Sequence, residues 1–206
     1  MKKVLFISLG CDKNLADSEE MLGMLVERGY EITNDETEAE VIVINTCAFI
    51  HDAKEESVNT ILEMAKYKET GSLKALLVTG CLAQRYKEEI VQEIPEVDGV
   101  LGTASYDEIL AALDHIFEGE SFLKFKDINS LPKNSKKRVV TTGGYFEYLK
   151  IAEGCDKHCT YCIIPKLRGS FRSVPMEQLL EQAQYLADQG VRELILVAQE
   201  LSLIHI

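Results

Sequence analysis

The stretch Gly154–Cys162, "GCDKHCTYC", carries three cysteines, with three residues between Cys155 and Cys159 and two between Cys159 and Cys162. Thiolates at such spacing can wrap one metal centre. Zinc asks for a fourth protein ligand. His158 is the obvious candidate, but it sits between two of the cysteines, where a tight loop aims it elsewhere. A [4Fe–4S] cubane has four irons, so three cysteines leave one iron without a protein ligand. That vacancy can take a small molecule through an amine and a carboxylate. On spacing alone, a zinc-stapled turn and a three-ligand cluster both stand.

Three further cysteines, Cys11, Cys47 and Cys81, lie far upstream at intervals of 36 and 34 residues (11 to 47, 47 to 81). Each directly follows an expected strand: "ISLGC", "VINTC", "LVTGC". One strand, one helix and their turns take about that length, so three parallel strands deliver a cysteine each to one edge of a sheet. Neighbouring strands lie about 4.8 Å apart, which lets the thiols converge. Free cysteine is often merely a small buried hydrophobe, but three in equivalent places favour a second cluster, again with three ligands. An open iron there can hold an exogenous sulfur species. Two clusters with two vacancies would imply two separate tasks.

The elements that position these residues alternate. Strands are expected at Lys3–Gly10, Glu40–Cys47, Lys74–Cys81 and in "DGVLG". Between them, helical spacing places one helix capped by Asp17 or Ser18 and ended by Gly29. A second runs over about 52–67 with Val58, Ile61, Leu62 and Ala65 on one face; the third covers about 84–93 and the fourth about 105–117. The pattern predicts an α/β fold, an N-terminal doubly wound parallel sheet over 1–125. Residues 126–144, with Pro, Asn, Ser, paired Gly and a basic cluster Lys133–Arg138, read as a linker. From 145 to 206 a strand, the late cysteine loop, a helix over "PMEQLLEQAQYLADQG" and the strand "VRELILVAQ" predict the truncated start of a (βα) barrel.

The opening "MKKVLFISLGCDKN" has the two lysines and apolar stretch of an export signal. Asp12 and Lys13 cut it short and no small-residue cleavage site follows, so it reads as a first strand. No apolar run reaches membrane-spanning length. Six cysteines without an export signal predict a reducing, cytoplasmic setting. The formal charge of −12 disfavours unaided nucleic-acid binding and suits a basic protein partner.

With Tyr161 just before the third cysteine and the loop at a strand's C-terminal end, "GCDKHCTYC" resembles the fingerprint of the radical S-adenosylmethionine (SAM) superfamily. The two cysteine sets together resemble the methylthiotransferases of that superfamily. "SLGCDKNLADSE", "VINTCAFIHDAKEES", "VTGCLAQRYKEEI" and "YLKIAEGCDKHCTYCIIPKLRGSFRS" are similar to the branch that acts on ribosomal protein rather than to the tRNA branch, which typically reads "GCQMN". The resemblance implies two [4Fe–4S] clusters, one on Cys155, Cys159 and Cys162 and an auxiliary one on Cys11, Cys47 and Cys81, with SAM as cofactor. It implies attachment of –SCH₃ to the β-carbon of an aspartate in small-subunit ribosomal protein twelve, a basic partner, with electrons from a donor such as flavodoxin or ferredoxin. SAM chemistry yields a radical able to abstract hydrogen from an unactivated carbon, beyond the reach of side-chain bases. Tyr161 either packs near the SAM adenine or plugs the loop. Asn14 and Asn45 either donate to cluster sulfurs or, more in keeping with asparagine, form turns. Arg168 and Arg172 either contact SAM or a carboxylate or are solvated. Val174 stands where the family places another arginine. After "LVAQ" the family continues with an acidic residue and a Thr-rich loop, whereas this sequence gives "ELSLIHI", which reads as foreign. A chain ending there is expected to be inactive alone. The competing functions are methylthiolation of tRNA, iron–sulfur electron transfer or redox sensing, and a zinc-stapled binding module.

Overall fold

The structure, a computed structural model, describes residues 2–132 and 138–201. Strands β1 (Lys3–Ser8), β2 (Glu31–Ile32), β3 (Val41–Thr46), β4 (Ala75–Gly80), β5 (Gly99–Leu101) and β6 (Phe122–Lys124) form one sheet in the order β2-β1-β3-β4-β5-β6. Every pairing is parallel. β3 and β4 are buried at every position, which explains why "VIVINT" and "ALLVTG" are almost unbroken apolar runs: a parallel sheet is covered on both faces. Helices α1 (Asp12–Glu27) and α6 (Ile109–Phe117) cover one face; α2 (His51–Ala65), α4 (Cys81–Tyr86) and α5 (Glu88–Glu93) cover the other. A short helix, α3 (Tyr67–Thr70), follows α2. The sheet is therefore doubly wound, as the alternation predicts.

Several expected bounds are corrected. α1 begins at Asp12, with Cys11 at its N-cap, not at Asp17 or Ser18. Both of those caps lie inside the helix and are buried, because tertiary partners claim them: Ser18 Oγ donates within hydrogen-bond distance of the Ser8 hydroxyl (2.8 Å), and Asp17 accepts from Lys150 and Arg168. The buried face of α2 is Ser57, Ile61, Met64 and Ala65, while Val58 and Leu62 are exposed. Ser57 Oγ accepts from the Cys47 amide (3.0 Å) and lies 2.9 Å from the Cys47 carbonyl, so a polar anchor turns the helix away from its apolar period. The expected third helix is two, broken at Lys87, whose φ is +48°. β2 and β6 were not expected; both are edge strands of two and three residues, too short to show a period.

Beyond the sheet, β7 (Phe146–Lys150) pairs in parallel with β10 (Glu193–Val197). Between them come β8 (Ala152–Glu153), α7 (Ile164–Arg168), β9 (Arg172–Ser173), antiparallel to β8, and α8 (Met176–Asp188). β7, α8 and β10 make a βαβ unit, the repeat from which (βα) barrels are built. Gly190, at φ +97°, turns the chain after α8 as the sequence predicts. In the segment read as a linker, Lys133–Lys137 of the basic cluster lie outside the described residues, as do residues 202–206 of the unusual ending. Arg138, the end of that cluster, is buried, and the Val139 amide donates to the Glu19 carbonyl (3.1 Å) on α1. Val174, where an arginine was expected, is buried with its amide bonded to the Ile151 carbonyl (2.9 Å).

Candidate metal centres and the ion network behind them

β1, β3 and β4 are adjacent, with Ser8 opposite Asn45 and Thr46 opposite Gly80. The chain leaves all three at the same edge, so Cys11, Cys47 and Cys81 meet there and line one cavity of ≈ 530 Å³. The edge lies at the switch point between β1 and β3, where open α/β sheets hold ligands. Gly10, at φ +92°, brings the first cysteine loop against the second: a Cβ on it would stand 2.7 Å from Cys47 Cβ and 2.9 Å from Cys47 Sγ. Gly80, at φ +91°, does the same for the third, since a Cβ there would lie 2.3 Å from Asn45 Oδ1 and 2.5 Å from the Thr46 carbonyl oxygen. Gly80→Ala is expected to destabilise by about 2 kcal/mol or more from left-handed strain and overpacking together. A denaturant midpoint unchanged from that of the unaltered protein would contradict this.

The asparagines neither form simple turns nor wait for a cluster. Asn14 Nδ2 donates to the carbonyls of Leu9 (2.8 Å) and Thr46 (3.0 Å), and Asn45 Nδ2 donates to the Asn14 carbonyl (2.8 Å). Both are buried clamps stitching the first cysteine loop to the second. Burial pushes the Cys81 thiol up; Arg168 pulls it back, and Cys47 and Cys11 add to the rise. All six cysteines are free thiols. Among the described residues, no three His, Cys, Asp or Glu side chains stand close enough to hold a single metal ion. A cubane offers its irons at separate corners, so thiolates serving it stand wider apart than those around one ion. The upstream trio, facing one roomy cavity, fits the wider group.

The late trio is arranged differently. Cys155 is buried, its amide donating to the Gly169 carbonyl (3.0 Å). Gly154 permits this approach, because a Cβ there would lie 2.0 Å from the Ser170 carbonyl oxygen. Cys159 and Cys162 share a turn, with the Cys162 amide on the Cys159 carbonyl (3.0 Å), and line a second cavity of ≈ 470 Å³ together with His158 and Tyr161. Cys155 is not part of that lining. Tyr161 is 89% exposed, so it plugs nothing. Phe49, two residues after Cys47, lines both cavities.

Behind the upstream cavity runs a buried ion network that sequence reasoning missed. Lys13 reaches Glu153 (3.1 Å); Lys150 pairs with Asp17 and Glu153 (3.0 Å); Arg168 pairs with Asp17 (2.9 Å) and Glu153 (3.4 Å). Arg138 bonds Glu19 and Glu147, and the Tyr106 hydroxyl donates to Glu20 (2.8 Å). Burial alone would raise Glu153, but Lys150, Arg168 and Lys13 hold it well below the usual carboxylate range. Burial lowers Lys13 to about 8 against the pull of Glu153. Arg168, expected to be solvated or to touch SAM, is a centre of this network; Arg172 donates to the Arg168 carbonyl (3.1 Å). The sequence signal was faint: charges at Lys150 and Glu153 inside the otherwise apolar strand "YLKIAEG".

Glu20 lies at the far end of the network, and burial raises its pKa above 4.5. The native state then holds more protons than the unfolded chain between 4.5 and the raised value. This group therefore favours folding fully below pH 4.5, and the contribution is lost as pH rises through the folded pKa. Glu20→Gln, neutral throughout, is expected to flatten that slope and to be at least as stable as the unaltered protein at pH 7. A lower stability at pH 7 with an unchanged slope, in urea melts across pH 4–8, would contradict the assignment.

Residues 149–204 match the Radical SAM superfamily, and residues 3–102 match the family described as Uncharacterized protein family UPF0004. Fold and site thus define a radical-SAM protein with a parallel-sheet domain that carries its own cysteine trio. Over 198 residues the chain is 67% identical to the ribosomal protein uS12 methylthiotransferase RimO of Lachnoclostridium phytofermentans, covering 96% of this chain and 45% of that protein. It is 50% identical over 208 residues to RimO of Acetivibrio thermocellus (98% and 46%) and 48% identical over 200 residues to RimO of Clostridioides difficile (97% and 45%). Over nearly its whole length the chain is similar to methylthiotransferases of this superfamily, and it spans about half the length of the curated relatives it matches. No helix among the described residues is long and apolar enough to cross a membrane.

Proposed function

We propose that this chain is the cluster-bearing part of a methylthiotransferase acting on ribosomal protein uS12, the substrate in the names of its relatives. In this reading Cys11, Cys47 and Cys81 hold an auxiliary [4Fe–4S] cluster, and Cys155, Cys159 and Cys162 hold the radical-SAM cluster. Residues 1–125 form the auxiliary domain, 126–144 connect it, and the radical-SAM domain starts at 145. The clusters with SAM supply hydrogen abstraction from an unactivated carbon and a sulfur to replace it. The chain's own residues set the stage. Asn14 and Asn45 lock the upstream loops, and Gly154 lets Cys155 dock on the Gly169 carbonyl. Tyr161 lies free to stack on an adenine.

The observation that carries the reading is the shared wall at Phe49: the two thiol-lined cavities abut, as transfer of sulfur to a carbon radical requires. The acidic balance favours a basic protein substrate over tRNA. Flavodoxin or ferredoxin is the matching class of electron donor, and the cytoplasm, where thiols stay reduced, the matching compartment. The test joins this chain in frame to the remaining length of the L. phytofermentans relative. The product is then incubated anaerobically with SAM, reductant and either uS12 or tRNA. Mass spectrometry should find one –SCH₃ in place of a hydrogen on uS12 and none on tRNA. Modified tRNA with untouched uS12 would reassign the branch; neither product with both clusters loaded would point to electron transfer.

A further inference from the structure

The fold gives the upstream trio one cation from outside its own domain. Arg168, at the end of α7, follows the late cysteine loop by six residues, yet it lines the upstream cavity beside Cys81. It is 4% exposed. Nη1 is fixed by Asp17 (2.9 Å) and by Glu153 (3.4 Å), Nη2 donates to Asn14 Oδ1, and the residue shares the cavity wall with Cys81, Cys47 and Cys11. Lys13 also lines the cavity, but its ammonium is drawn to Glu153 (3.1 Å). The planar fork of arginine holds five donors in a fixed geometry and can serve carboxylate, amide and sulfur at once, where lysine offers three on a flexible stem.

Resting on the cluster assignment above, we propose that Arg168 is a positioning residue that lends its positive charge and a hydrogen bond to the Cys81 sulfur and so raises the reduction potential of the upstream cluster. Net charge and hydrogen bonds to the sulfurs are what a protein uses to set such potentials. Reduction adds an electron, and a buried guanidinium at the thiolate stabilises the more negative state. Because Arg168 belongs to the segment that carries the late loop, the second domain sets the redox poise of the first.

The test uses the full chain with Cys155, Cys159 and Cys162 replaced by alanine, so that only the upstream cluster is present. It is reconstituted anaerobically and titrated with dithionite under EPR. In Arg168→Gln the oxidised-to-reduced ratio at a fixed poise should rise at least tenfold, a fall of about 59 mV for one electron. Arg168→Lys, which keeps the charge, should lie between the two. Full iron with an unmoved potential in Arg168→Gln overturns the proposal. Should Arg168→Gln fail to load iron, Asp17→Asn decides: losing the carboxylate that offsets Arg168 should shift the ratio threefold or more the other way, and no shift overturns the proposal. A parent chain that loads neither iron nor sulfide overturns the cluster assignment itself.

Discussion

Asp17→Ala is expected to destabilise the protein by about 3–5 kcal/mol, the cost of breaking a buried ion pair from one side. Asp17 accepts from both Lys150 and Arg168, and each of those residues is buried. With Asp17 gone, Lys13, Lys150 and Arg168 are left on the single carboxylate of Glu153. Burial already opposes charge on Lys150, and it is the neighbouring anions, Asp17 first, that override it. Domains are stable by only about 5–15 kcal/mol, so the loss is a large share of the whole. Asp17→Asn keeps hydrogen-bonding capacity and should cost less, about 1–3 kcal/mol. Urea melts at pH 7 measure both; a loss under about 1 kcal/mol for Asp17→Ala would show that the network is not what joins α1 to β7 and α7.

Cys47→Ala is expected to remove about half the iron and half the sulfide from the anaerobically reconstituted chain, about four of eight. Cys47 is central: it directly follows the middle strand of the three, packs under Gly10, and has its backbone pinned by Ser57. The substitution removes one sulfur from a buried site whose backbone bonds remain, so folding should persist while loading fails. Far-ultraviolet circular dichroism of the variant checks the first, and iron and sulfide assays the second. An unchanged iron content would return Cys47 to the role of a small core residue.

The upstream site was largely legible because its logic is one-dimensional. β1, β3 and β4 are apolar runs, each followed within three residues by a cysteine, and parallel strands joined by helices must align those ends. The late trio was legible as a motif, but not in its present splay, with Cys155 tied to Gly169 and Cys159 exposed. The start of α1 was misread because Asp17 and Ser18 are good caps locally, and only the folded chain shows that Lys150, Arg168 and Ser8 claim them. The same holds for the linker, where Arg138 reads only as the end of a basic cluster until Glu19 and Glu147 are placed beside it. Pairs more than a hundred residues apart leave no local period. What sequence lacked throughout was the partner of each buried charge.

Iron and acid-labile sulfide, counted per chain after anaerobic reconstitution, test the central claim most directly. Two cysteine trios that each hold a cubane predict about eight of each. A count near four, or zinc bound without sulfide, would contradict it.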